Sequence, residues 1–177
     1  MADYDLRFDS STGTYGTAGA GGVSYGSELM FYARLTATQS DVTGDGTPVI
    51  IVFDAADVNV GTCYNTATGV FVPPTTDIYL FETHIFFTDL AVGHTAGYIQ
   101  LIDATTGNAA NYMYINPYAI SVAGSLEMTF DQYLYPTSIT AGDLIHNTVI
   151  VSGAAKAVDV LGGATLPNSW WACYKVT

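Results

Sequence analysis

Basic residues are almost missing from this chain of 177 residues: Arg7, Arg34, Lys156 and Lys175 stand against 16 Asp and Glu, a formal charge of −12 at pH 7. Binding that neutralises several phosphates needs clustered cations, so nucleic acid and anionic membrane surfaces are excluded as partners. Charged residues make up only 11% of the chain, against about 25% in an average protein. Glu occurs at Glu28, Glu82 and Glu127 alone, and that scarcity argues against helices, which draw on Glu, Lys, Arg and Leu. Two cysteines, Cys63 and Cys173, are too few for a disulfide framework or a zinc site. Buried free thiols are the favoured reading, and one long-range bridge is the alternative. No apolar run reaches the ~18–20 residues that span a membrane. Met1–Asp5 has neither a basic start nor an apolar core, and no Asn-x-Ser/Thr acceptor occurs. The expectation is a protein made in the cytoplasm, without a secretory signal.

What is present is apolar and strand-forming. Hydrophobic residues are 49% of the chain and aromatics 13%, with a mean hydropathy of +0.28, and Thr, Gly and Tyr abound. Such residues favour β-structure. With so few charges to solubilise it, the apolar share predicts surface covered by another chain, hence an oligomer.

Residues 1–27 carry Gly13, Gly16, Gly19, Gly21, Gly22 and Gly26, with Tyr4, Phe8, Tyr15 and Tyr25 spaced between them. This composition cannot bury enough apolar area to fold alone. It reads as an arm held by a neighbouring subunit or a larger assembly, with Tyr4, Phe8 and Tyr15 as its anchor candidates. From residue 28 onward, apolar runs at 31–35, 49–53, 78–87, 98–102, 126–130, 144–151 and 170–176 alternate with Gly, Asp, Asn, Pro and Thr clusters. That punctuation predicts about eight to ten short strands in a sandwich or barrel. In Ile78–Phe87 the odd positions Tyr79, Phe81, Ile85 and Phe87 are apolar, as an inward face requires, and the even positions Ile78, Leu80 and Phe86 are apolar too. A strand covered on both faces follows. The second cover is a neighbouring subunit, although a larger barrel or the arm lying over the strand gives the same pattern.

The stretch 48–81 holds Asn59, then Tyr64-Asn-Thr-Ala-Thr-Gly69-Val-Phe71, then Pro73, then Tyr79-Leu-Phe81. In that order and spacing it resembles the globular domain of the complement C1q-type and tumour-necrosis-factor-like family. Ile139-Thr-Ala-Gly142-Asp143-Leu-Ile145 resembles a turn of the same family, Ser169-Trp-Trp171-Ala-Cys173-Tyr174 its closing strand, and Met30–Leu35 its first strand. The resemblance covers residues 29–177 and leaves the arm outside, and the collagen-like Gly-X-Y stalk of animal members is absent. Gly69 and Gly142 sit where tight turns need positive φ, and Asn65 and Asp143 are turn-bonding residues. Three positions depart from the pattern. Asp77 stands where the family has Gly, a residue type that tolerates a left-handed backbone; Cys173 replaces a strand Gly; Trp171 replaces Phe.

The resemblance implies an all-β, ten-stranded, two-sheet jelly-roll sandwich over residues 28–177, assembling as a homotrimer. It also implies a recognition or display module and not an enzyme. Ile78, Leu80, His84, Phe86 and Tyr174 are the trimer-interface candidates, and His84 could make that interface respond to pH.

No nucleophile and base can be paired from the sequence, and no Gly-x-Ser-x-Gly, His-Glu-x-x-His or phosphate loop occurs. No cofactor is expected. Asp41 and Asp45, with Gly44 and Gly46, form the weak calcium candidate, against the simpler reading of a solvated turn. Tyr112, Tyr114, Tyr118, Tyr133 and Tyr135 are read as ordinary packing, with an aromatic surface for a glycan or protein as the alternative. Two functions compete. One is a structural virion protein, a decoration (cement) or head-fibre trimer on a phage head, bound to the major capsid or another virion protein through its N-terminal arm. The other is a free adhesion module whose apical loops (41–47, 103–111, 152–168) recognise a glycan or a host surface receptor.

Overall fold

The computed structural model describes the backbone of residues 6–9, 14–17, 27–115 and 124–176, and the side chains of 28–109, 114 and 139–176. It is a sandwich of two antiparallel sheets. The strands are β1 (Leu6–Asp9), β2 (Thr14–Thr17), β3 (Ser27–Arg34), β4 (Gln39–Thr43), β5 (Val49–Ile50), β6 (Ala55–Asn59), β7 (Tyr64–Asn65) and β8 (Val70–Phe71). They continue as β9 (Asp77–Leu90), β10 (Ala96–Asp103), β11 (Asn108–Ile115), β12 (Gly124–Ile139), β13 (Ile145–Ser152), β14 (Val158–Val160) and β15 (Trp170–Val176). Among the described residues no helix is long and apolar enough to cross a membrane.

One sheet has seven strands in the order β4-β14-β9-β15-β3-β6, with β12 on the other edge of β9. The second has six, β11-β10-β13-β8-β7, with β5 beside β13. The ten strands expected become thirteen in the sandwich because strands such as β4–β6 and β7–β8 are broken by turns into short ladders. β1 and β2 form a separate hairpin that, among the described residues, pairs only with itself.

The period-2 pattern of β9 is realised along its length. Tyr79, Phe81, Thr83, Ile85 and Phe87 are fully buried between the sheets, and the even positions face out. Their rings join Phe31, Phe53, Tyr64, Phe71 and Trp171 in one core. Trp171 fills its centre, stacked on Phe81 at 5.6 Å and edge-on to Phe31 at 4.8 Å. Buried polar bonds tie the two sheets: Asn147 Nδ2 donates to Thr83 Oγ1 at 3.2 Å, and the Val151 N–H donates to Thr43 Oγ1 at 2.8 Å.

The turns follow from the residues that carry the resemblance. Asn59 donates to the Tyr64 carbonyl at 2.8 Å and accepts the Tyr64 N–H at 3.0 Å, closing the 60–63 turn. Gly69 and Gly142 have φ of +73° and +89°, as expected. Asn65 accepts from the Ala67 N–H and Asp143 from the Thr140 N–H, both at 2.9 Å. Asp77 differs from expectation. Its φ is not positive; it begins β9 in extended form, paired to Lys175 at 2.9 Å. Cys63 and Cys173 are buried free thiols, and burial pushes both up in pKa.

Strand order fixes two ends. β3 begins and β15 finishes at one, where Ser27 pairs with Val176; this proximal end also carries residues 103–107 and 140–144, with the Leu144 N–H donating to Thr105 Oγ1 at 2.9 Å. At the distal end lie residues 41–47, 91–95 and 152–156, knotted by the Gly44 N–H to the Val151 carbonyl (3.0 Å) and the Ala154 N–H to the Gly44 carbonyl (3.1 Å).

Candidate functional site

The outward face of the seven-stranded sheet is built by three central strands whose registers agree. Cross-strand partners share a face, so the pairing of His84 with Trp170, Glu82 with Ala172 and Leu80 with Tyr174 puts these six side chains on one surface. β3 adds Tyr32 beside Ala172 and Arg34 beside Trp170, and β6 adds Val58 beside Tyr32. All five sequence-predicted interface residues, Ile78, Leu80, His84, Phe86 and Tyr174, fall here. Four are half-buried in the single chain and Ile78 is 42% exposed.

Sequence reasoning missed Tyr32, Trp170 and Val58. The alternation in Trp170–Val176 carries a signal for Trp170, because Trp171 and Cys173 face the core and leave Trp170 and Tyr174 outward. The three rings are organised: His84 lies parallel to Trp170 at 5.9 Å and 6°, and Tyr32 leans on Trp170 at 5.6 Å.

At the centre of this face the charged side chains have partners within the chain, while β12 sets Glu127 in register with Phe86 and Asp131 in register with Glu82. Arg34 Nε donates to Asp57 Oδ2 at 2.9 Å, and the Tyr174 hydroxyl donates to Glu82 Oε2 at 3.3 Å. Burial and the neighbouring Glu82 carboxylate raise the Tyr174 hydroxyl above the ordinary phenol range, so it stays a donor. Lys175 and Asp77 pair at the proximal rim. The result is a surface whose centre is aromatic and aliphatic, the composition that protein interfaces favour at their centres.

Other predicted positions part company. Phe8 and Tyr15 are cross-strand partners in the β1–β2 hairpin, while Tyr4 lies outside the described residues. Asp45 Oδ1 accepts the Thr47 N–H at 3.0 Å, which holds its carboxyl below the usual range. The Asp41 N–H donates to Asp159 Oδ1 at 2.7 Å. These are turn-closing bonds, and among the described residues no three His, Cys, Asp or Glu gather to hold a metal. The three loops expected at one apex are divided. Residues 41–47 and 152–156 are distal, 103–107 is proximal, and 161–164 runs beside the end of β3, with the Gly163 N–H donating to the Leu35 carbonyl at 3.0 Å. The tyrosine group is divided as well: Tyr112 and Tyr114 belong to β11 in the six-stranded sheet, Tyr133 and Tyr135 to β12 in the other. Tyr118 lies outside the described residues.

Solved structures share the fold at low identity. Eiger TNF from S. frugiperda aligns with a TM-score of 0.57 at 13% identity, over 86% of this chain and 93% of that one. The globular domain of zebrafish complement 1qA gives 0.51 at 13%, over 82% and 93%. Murine APRIL gives 0.51 at 14%, over 85% and 99%. No curated protein matches the chain in sequence. The sequence pattern of the C1q domain matches residues 30–123, which take in Asn59, Tyr64, Gly69, Phe71, Tyr79 and Phe81, and the chain belongs to the C1q-domain family.

Proposed function

We propose that this protein is a homotrimeric display module whose seven-stranded sheet packs its outward face against two further copies and whose N-terminal arm tethers the trimer to a larger assembly, a virion capsid. The observation that carries the reading is the organised apolar face of Leu80, His84, Phe86, Trp170, Tyr174 and Tyr32, half-covered in the single chain. Side chains this large left on a sheet face are an association surface. The direction of the chain supports the second half. β3 starts at the proximal end, so an arm preceding it leaves from there, and the 41–47, 91–95 and 152–156 loops point the opposite way. Three arms per trimer would give avidity from individually weak contacts, at a virion surface.

Sedimentation equilibrium tests the assembly. The expected mass is three times 18.7 kDa, and Leu80→Glu with Phe86→Glu should give a folded monomer. A native chain that sediments as a monomer overturns the trimer. Deleting residues 1–26 should leave the trimer but abolish binding to capsids, and a truncated trimer that still binds removes the arm as anchor. The distal loops, with Val92 60% exposed, favour a second reading as a free adhesion module, in which cell or receptor binding survives that deletion.

A further inference from the structure

The outward face of the six-stranded sheet has a different chemistry. Register puts Tyr98, Gln100 and Ile102 of β10 beside Ile150, Thr148 and His146 of β13. Ile50 adjoins Thr148, Val70 adjoins His146, and Tyr114 adjoins Tyr98. None of these positions is Asp, Glu, Lys or Arg, in a chain that carries −12. The floor is polar but neutral: Gln100, Thr148 and His146 are nearly buried, with Thr148 Oγ1 and His146 Nδ1 3.2 Å apart. Burial lowers the His146 pKa and keeps the ring uncharged at neutral pH. Above that floor stands an aromatic pair. Tyr114 is 77% exposed, and its ring centre lies 6.2 Å from that of Tyr98 at an angle of 59°.

We propose that this face binds a neutral saccharide, with Tyr114 and Tyr98 as the platform against the C–H faces of the sugar rings. The charge pattern selects the ligand. An anionic polymer is repelled by the whole molecule, and a basic partner finds its counter-charges elsewhere, at Glu82, Asp89 or Asp159, so neither gains from this face. A polyol has no charge to satisfy. It presents apolar C–H patches to the tyrosine rings and hydroxyls to the phenolic oxygens, the amphipathic match that suits Tyr to wet interfaces. The site goes beyond the display reading and lies on the sheet opposite the self-association face.

Affinity electrophoresis of the full chain through gels holding dextran, mannan, xylan or galactan, with titrations of maltoheptaose, cellohexaose and chitohexaose, tests it. At least one neutral glycan should retard the protein. Tyr114→Ala should weaken that binding about tenfold or more, Tyr114→Trp should keep it, and Val92→Ala, on a distal loop, should leave it unchanged. Sedimentation of each variant reads assembly separately, so loss of the trimer is not mistaken for loss of the site. Tyr114 is exposed, so its truncation tests the site even if Tyr98→Ala fails to fold. Silence across the panel overturns the proposal, as does retardation that survives Tyr114→Ala or depends on Val92.

Discussion

Trp171 stands where the family pattern has Phe, and its surroundings show what the exchange brings. The indole is fully buried among Phe31, Phe53, Tyr64 and Phe81, yet its Nε1–H finds no acceptor among the described residues. A buried donor without a partner costs about 1–3 kcal/mol. Trp171→Phe removes that donor along with part of the ring, so the two effects oppose each other. The variant should lie within about 1.5 kcal/mol of the native protein, whereas Trp171→Ala leaves a large cavity and should cost about 3–5 kcal/mol. Guanidinium unfolding of the three proteins measures the difference. A Phe variant that falls as far as the Ala variant would mean the indole N–H is bonded after all, to a buried water. The resemblance placed Trp171 at the family's Phe position in the closing strand, but the missing acceptor depends on backbone carbonyls of other strands, which no local pattern reports.

At the scale of elements, β9 was the most legible because both its faces obey period 2 over many residues, and the long ladders β10, β13 and β15 followed within two residues. Segment 49–53 was read as a full strand, yet only Val49–Ile50 pair in the ladder. Further along, the Phe53 N–H and carbonyl are both held by the Tyr64 hydroxyl at 3.1 Å, so a side chain takes the place of a neighbouring strand. The loops were assigned to one apex because sequence gives their positions but not strand order, and strand order alone sends 103–107 to the proximal end. Asp77 misled for a related reason: its ion pair with Lys175 comes from the far end of the chain and keeps the backbone extended. Gly69 and Gly142 have the positive φ expected of them, and Gly69 set against Gly107, which sequence reading did not single out, separates backbone strain from crowding. Gly69 and Gly107 share a φ of +73°, but a Cβ on Gly69 would lie 2.8 Å from the Ile51 carbonyl oxygen, while nothing lies within 4 Å of one on Gly107. Gly107→Ala should therefore cost about 1–2 kcal/mol, the left-handed penalty alone. Gly69→Ala must also displace the 51–52 backbone and should cost about 3 kcal/mol or more. Equal losses in thermal melts of the two variants would show that the 51–52 backbone yields freely.

For the whole molecule, the scarcity of cations makes a statement about assembly that the fold refines. Composition says that each chain carries −12; the structure says where the exceptions are. Arg34 and Lys175 are both spent within the chain, Arg34 on Asp57 at the face proposed to meet other copies and Lys175 on Asp77 at the proximal rim. Few cations are left there to bridge between subunits, so association would rest on apolar burial by Leu80, Phe86, Trp170 and Tyr174 while the remaining carboxylates of three chains repel one another. Burial is insensitive to sodium chloride at moderate strength, but repulsion is not: the screening length is about 30 Å at 0.01 M and about 8 Å at 0.15 M. The trimer should therefore tighten as sodium chloride rises over that range, read as a falling dissociation constant in sedimentation equilibrium. Leu80→Glu, with a further carboxylate at the contact, should steepen the dependence where residual association can be measured. A trimer that loosens with salt would mean that attractive ion pairs cross the interface, and so that Arg34 or Lys175 exchanges its internal partner for one on another chain.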